Sequence, residues 1–154
     1  MRIRAFVALS PLALAGLLLV PSQARLHGQG AASQTFKGLE MRATGIARAS
    51  NVALIDCPPG ANTVRGNARP GEEFAVVSVA FTVTPGFKDT VVKKPVLVDA
   101  SGKTFNTSVS IIDAGSVPSY TCEFPFRVPE GTKLGKLQIE TATLDLTALD
   151  AVKR

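Results

Sequence analysis

The sequence predicts an all-β fold in which antiparallel sheets pack as a sandwich of about seven strands. Three observations indicate this fold: short runs alternate apolar and polar residues, clusters of Gly, Pro, Asn and Asp separate the runs, and no amphipathic helix pattern follows residue 24. The clearest run spans residues 73–84, where Val77 and Phe81 share one phase and Ser78 and Thr82 share the other. Such a strand buries one face in a core.

Residues 1–24 have the composition of a cleavable, helical signal peptide. Arg2 and Arg4 give a positive start, residues 5–20 are almost entirely apolar, and the segment ends in small residues at Ala24. We therefore expect cleavage after Ala24 and export to the periplasm or the medium. The alternative is a retained membrane anchor, but the apolar run is shorter than the roughly 20 residues that a spanning helix needs.

The chain after the leader divides into three segments. Residues 25–34 are mostly small and polar, which predicts a flexible linker; residues 35–147 carry the strand patterns of the sandwich; residues 148–154 predict a frayed C-terminal tail. This length suits one domain with one core. Because the chain has no Trp, it lacks the buried tryptophan of antibody domains, and we expect a more general immunoglobulin-like sandwich.

The N-terminal half of the domain predicts two strands separated by a long loop. The alternation over residues 39–44 predicts the first strand, with a bend at Gly45 or Ile46. Residues 51–70 are rich in Pro, Gly and Asn, which predicts a loop of unusual length. Residues 73–84 form the second strand.

Three short strands are expected next. Residues 94–99 and 103–108 flank a segment with the chemistry of a hairpin turn. Residues 109–112 form another short apolar run, which is closed by turn-forming residues.

Two longer strands complete the prediction. Residues 120–128 alternate strictly, but Pro125 has no N–H, so this strand is expected at a sheet edge or broken at that residue. The last strand is expected over residues 134–147. Its apolar phase changes around residues 141–143, which predicts a bulge or bend there.

The two cysteines predict one structural disulfide between Cys57 and Cys122. An exported chain folds in an oxidising compartment, and only one pairing is possible within a monomer. Cys122 shares the apolar phase of its strand, so the bridge is expected to be buried. A redox pair is the alternative, but the Cys-x-x-Cys spacing is absent. An intermolecular bridge is the other possibility.

Composition and histidine content exclude several functional classes. The net charge of +5 falls to +3 once Arg2 and Arg4 leave with the leader, and no basic stripe is present, so we expect no nucleic-acid binding. The single histidine, His27, lies in the predicted linker, where it cannot serve a rigid catalytic triad or a type-one copper site. We expect no cofactor and no metal, although a copper or nickel site made by the new N-terminal amine of Arg25 and by His27 remains an alternative.

The carboxylates offer one catalytic alternative. A small secreted hydrolase would need a pair of acidic side chains, and Glu123 and Glu140 could meet across strands. Nothing in the sequence selects that pair, so we expect no catalytic residue.

The long segment 51–70 is the candidate contact surface. Loops on a rigid sandwich are where such folds place recognition, and the polar residues available here are Asn62, Arg65, Asn67 and Arg69. We therefore predict a non-catalytic binding module whose partner is a protein or a cell-surface component.

Three fragments of the chain resemble, in the same order, fragments of a group of bacterial exported domains. Residues 71–83, 99–105 and 126–131 correspond to a strand entry, a hairpin turn and a strand exit. The chain is similar to the immunoglobulin-like "immunoprotective extracellular" domains of unknown function, which are sometimes labelled telomeric-repeat-binding-factor-like. The resemblance covers residues 35–147. It implies an exported β-sandwich with an interaction or protective role and no catalytic residue.

The chain departs from that family at two points. Thr84 stands where the family often has Asn, and the lipid-attachment Cys of many members is absent. Because of these two departures, the surface anchoring of many family members is not expected to carry over to this chain.

Overall fold

A computed structural model describes residues 32–60 and 63–150. The predicted signal peptide, residues 25–31 of the predicted linker with His27, Asn62, and residues 151–154 of the predicted tail lie outside the described residues. Within them the chain forms twelve strands and one short helix: β1 (Gln34–Phe36), β2 (Leu39–Ala49), β3 (Asn51–Ile55), β4 (Thr63–Asn67), β5 (Glu72–Val83), β6 (Val91–Val92), β7 (Val96–Asp99), β8 (Thr104–Asn106), β9 (Ile111–Ile112), β10 (Ser119–Pro129), β11 (Leu134–Ile139), β12 (Ala142–Asp145) and α1 (Thr147–Asp150).

Two four-stranded antiparallel sheets form a β-sandwich, which confirms the predicted fold class. Sheet I has the strand order β1-β2-β5-β10, and sheet II has the order β12-β11-β7-β8. Two small two-stranded ladders, β3–β4 and β6–β9, complete the strands. The structure has more strands than the seven expected because several are only two to five residues long and lie in segments that predict turns.

The core fills the space between the inner faces of the two sheets. The period-two alternation of β5 and β10 places one phase of each strand inward, where Val79 pairs with Cys122 and Val77 with Phe124. The facing sheet contributes Leu97, Leu137 and Leu144, which are fully buried and aligned across three strands.

Two details of the predicted strands are confirmed. The register between β2 and β5 shifts between Ala43 and Gly45, which places a bulge where a bend was expected. Strand β10 is an edge strand of sheet I, so Pro125 lies at an edge without interrupting the strand.

Segment 51–70 is a hairpin and not the long loop that was predicted. Residues 51–55 pair in register with residues 63–67 as β3 and β4. The prediction was wrong because Pro58, Pro59 and Gly60 dominate the composition, but these residues belong to the connection between the two strands. The alternation of Val52 and Leu54 with their neighbours is too short to stand out from that background.

The last predicted strand is also a hairpin. Leu137 pairs with Leu144 and Ile139 with Ala142, and the chain reverses at Glu140 and Thr141. The apolar phase slips because the chain turns there, and no bulge is formed. The sequence hid this turn because Glu140 adopts a positive φ of 53°, a conformation usually taken by Gly or Asn.

The predicted C-terminal tail, residues 148–154, includes all but the first residue of α1, which packs against the sandwich. Asp150 accepts hydrogen bonds from Arg48 Nη2 at 2.8 Å and from the Leu134 amide at 2.9 Å. Arg48 also donates from Nη1 to Glu73 Oε1 at 2.6 Å. Arg48, Glu73 and Asp150 therefore form a half-buried network of ion pairs at one end of the core. Through Asp150 this network connects both sheets to the helix.

No helix within residues 32–60 and 63–150 has the length and apolar character needed to cross a membrane.

Candidate functional site

The disulfide predicted from the sequence is present. It holds the β3–β4 hairpin at the end where β3 leads into the connection to β4. Cys57 and Cys122 are bonded, with their Cα atoms 5.6 Å apart, and both are buried. The Cys57 amide also donates to the Ser110 carbonyl, and its own carbonyl accepts from Ile112, both at 2.9 Å. The segment that follows β3 is therefore held to β10 through sulfur and to β9 through the backbone.

The hairpin lies over one half of the outer face of sheet I. Phe74 and Val76 belong to the outward phase of β5, yet they are only 5% and 7% exposed. A Cβ atom on Gly66 would lie 3.2 Å from Cζ of Phe74, so the hairpin backbone approaches the sheet closely. Leu54 on β3 is partly buried and packs against the main core.

The face of the hairpin turned away from the sheet is polar and open. A groove of about 490 Å³ is lined by outward-phase residues of both strands and by Val52 of the inward phase. The residues that line the groove are Asn51, Val52, Ala53, Thr63, Arg65 and Asn67. Two predicted contact residues, Arg65 and Asn67, are thus brought together on β4. Arg69 is exposed beyond the end of the strand.

Arg127 on β10 anchors the hairpin, although it is not among the contact residues predicted from the sequence. Its guanidinium lies 5.4 Å from the centroid of the Phe74 ring, and its Nη2 donates to the Asn67 carbonyl at 2.8 Å. Its Nε lies 3.6 Å from Oε2 of Glu72, a buried oxygen without a hydrogen-bond partner within the described residues. The only sequence signal was a cation in the outward phase of β10, and its partner carbonyl is 60 residues away.

A second, smaller groove separates the hairpin from β10. It has a volume of about 230 Å³, and its polar lining comes from Asp56, Thr121 and Glu123. Ile55 and Pro59 supply apolar surface. Within residues 32–60 and 63–150, no three His, Cys, Asp or Glu side chains are grouped to hold a metal ion.

The structure does not bring Glu123 and Glu140 together. Glu123 lies on β10, the edge of sheet I that contacts β8, whereas Glu140 lies in the β11–β12 turn at the opposite edge of sheet II. The carboxylate of Glu140 instead accepts from the Lys93 amide at 2.8 Å.

Three side chains with shifted pKa values, Asp99, Tyr120 and Asp145, lie away from the hairpin groove. Burial raises the pKa of Tyr120 to about 12, and its hydroxyl donates to the Ala114 carbonyl at 2.9 Å. The hydroxyl of Ser101, followed by nearby amides, lowers the pKa of Asp99. The amide and then the hydroxyl of Thr147 lower the pKa of Asp145. The two aspartates organise local turns.

No protein-family model matches the chain. No curated protein matches it either. Among solved structures, the chain is similar to an uncharacterized β-sandwich protein from Clostridium difficile 630. The two share 8% sequence identity, with a TM-score of 0.45 over 73% of this chain and 86% of that one.

Proposed function

We propose that this protein is an exported, non-catalytic binding module that uses the outward face of the β3–β4 hairpin to contact a protein or a cell-surface component. The observation that carries the proposal is the hairpin groove of about 490 Å³, in which Arg65, Asn67 and Thr63 converge. A groove lined by a cation, amides and a hydroxyl can donate several hydrogen bonds to one partner.

The rigidity of the hairpin supports the proposal. The Cys57–Cys122 bond holds one end, and Arg127 holds the other through the Asn67 carbonyl. A surface fixed in this way loses little conformational entropy on binding, which favours affinity.

One feature of the sequence and one of the structure support export. Residues 1–24 have the pattern of a signal peptide, and a buried disulfide is typical of proteins that fold outside a reducing cytosol. The resemblance to immunoprotective extracellular domains supports the same compartment and an interaction role.

Site-specific photo-cross-linking in the producing cells tests the proposal. A benzophenone amino acid replaces Thr63 in the groove or, as a matched control, Thr143, which is exposed on β12 of sheet II. We expect the Thr63 variant to form a discrete adduct that mass spectrometry identifies, and the Thr143 variant to form none. Equal labelling from both positions, or no adduct from Thr63, would contradict the proposal.

A further inference from the structure

Alternate residues of β4 point their backbone groups away from β3, and the phase of this alternation can be read from the hairpin hydrogen bonds. The Ala68 amide donates to the Ser50 carbonyl at 2.8 Å, and these two residues stand opposite each other in the hairpin. In an antiparallel ladder the hydrogen-bonded pairs alternate with non-bonded pairs. Val64 and Gly66 therefore point their backbone groups toward β3, whereas Thr63 and Arg65 point theirs away.

The edge of β4 that faces away from β3 is open over most of its length in the part of the chain that the structure describes. Within the described residues, the sheet ladders pair β4 with β3 alone. At Asn67 the outward carbonyl already accepts from Arg127, which limits the open edge to Thr63, Arg65 and the Asn67 amide. An unpaired strand edge is a template for the addition of another extended chain.

Charge distinguishes the occupants that such an edge could accept. Arg65 stands in the middle of β4, is exposed, and has no acidic partner within 4.0 Å among the described residues. A second copy of the chain paired antiparallel about Arg65 would place two arginines opposite each other, which is unfavourable. An acidic side chain in that position would form a favourable cross-strand pair.

The face of β4 opposite to Arg65 favours an apolar side chain on the added strand. Val64 is 63% exposed, although its phase is directed toward the sheet. A strand added to the edge would place alternate side chains beside Arg65 and beside Val64. The edge therefore matches a segment in which acidic and apolar residues alternate.

We propose that β4 binds an extended acidic peptide segment by strand addition. The backbone of the peptide pairs with Thr63, Arg65 and the Asn67 amide, an acidic side chain pairs with Arg65, and an apolar side chain covers Val64. This inference rests on the proposed binding function and specifies the partner and the geometry of contact.

Fluorescence anisotropy with a labelled eight-residue peptide that alternates glutamate and valine tests the inference on the oxidised protein. In the proposed register each glutamate opposite β4 directs its N–H toward the protein, and each valine directs its N–H away. We expect N-methylation of the glutamate amides to weaken binding at least tenfold, and N-methylation of the valine amides to weaken it less than threefold. Equal effects of the two modifications would overturn strand addition.

A charge-swap pair tests the role of Arg65. The Arg65→Glu variant is expected to lose the glutamate–valine peptide and to bind its lysine–valine counterpart, which the natural protein rejects. Unchanged preference in the variant would overturn the role of Arg65. Circular dichroism of the variant should match the natural protein, because Arg65 is exposed.

Two further outcomes separate this inference from the proposed function. An adduct at position 63 without peptide binding would overturn strand addition and leave the binding module standing. A dimer that forms through β4 and persists in the presence of the peptide would make a second copy the occupant and would overturn the acidic peptide.

Discussion

The outer face of sheet I has two halves that differ in composition and in what covers them. On β5 the covered half presents Phe74 and Val76, which lie beneath the hairpin and are nearly inaccessible. The open half presents Ser78, Ala80 and Thr82, which alternate with core residues and face solvent. One strand therefore carries two different outer surfaces, and the change between them marks the limit of the hairpin.

The difference between the two halves shows how the sequence indicates that a third layer, the β3–β4 hairpin, covers part of sheet I. A strand that covers only one core alternates strictly, whereas a strand covered on both faces is apolar at successive positions. Residues 74–77 are a continuous apolar run, and residues 78–83 alternate. The apolar run indicates that something must cover the outer face at that end, and the hairpin meets that requirement.

The largest expected effect comes from detaching the covering hairpin. Replacing both Cys57 and Cys122 by Ala removes a cross-link between residues 65 apart in sequence. It should lower the free energy of unfolding by about 4 kcal/mol, because the unfolded chain gains entropy. Urea denaturation followed through Tyr120, the only tyrosine in a chain without Trp, measures this change. A loss below about 1 kcal/mol would show that the bond contributes little.

The next largest effect compares the covered half and the open half of the outer face directly. Phe74→Ala should lower the free energy of unfolding by about 3 kcal/mol, because it leaves a cavity beneath the hairpin. Thr82→Ala in the open half is the matched control and should change stability by less than about 0.5 kcal/mol. Equal effects of the two substitutions in urea denaturation would contradict the comparison.

A smaller effect on stability is expected from Arg127, which binds the hairpin to β10. Arg127→Ala removes the contact with Phe74 and the hydrogen bond to Asn67, which should cost about 1–2 kcal/mol. Arg42→Ala, on the open half, should cost less than about 0.5 kcal/mol. Thermal unfolding of both variants measures the difference in stability. If Arg127→Ala left the stability unchanged, Arg127 would not be stabilising the hairpin.

The inner face of sheet I supplies a reference that is independent of the hairpin. Tyr120 should titrate with a pKa of about 12 instead of 10.0, because burial disfavours the phenolate. The raised pKa means that the contribution of Tyr120 to stability is complete below about pH 10 and is lost as the pH rises toward 12. Ultraviolet absorbance reports this single tyrosine, and a midpoint near 10 in the folded protein would contradict its burial.

Much of the fold could be predicted from the sequence because its long strands alternate strictly. Residues 73–84 and 120–128 correspond to β5 and β10, and the apolar phase of β10 correctly placed Cys122 inside. The disulfide followed from the cysteine count and the expected compartment. These features depend on local periodicity and on a pairing with only one solution.

The two hairpins could not be predicted because their signals are weak or unusual. Strands β3 and β4 have five residues each, too few for a clear period, and the turn at Glu140 lacks the Gly or Asn that would mark it. At the candidate site, the choice of Arg65 and Asn67 came from their polarity, and the structure places both in one groove. The role of Arg127 depends on a contact between distant segments, which one sequence does not reveal.

Hydrogen exchange of the backbone amides in segment 51–67 tests the central claim most directly, namely that this segment is a paired hairpin fixed over sheet I. The ladder phase predicts slow exchange for amides that point into the hairpin and exchange at least about tenfold faster for those that point outward. The slow group is Val52, Leu54, Val64 and Gly66, and the fast group is Ala53 and Arg65. Uniformly fast exchange across the segment would contradict the claim and return it to a mobile loop.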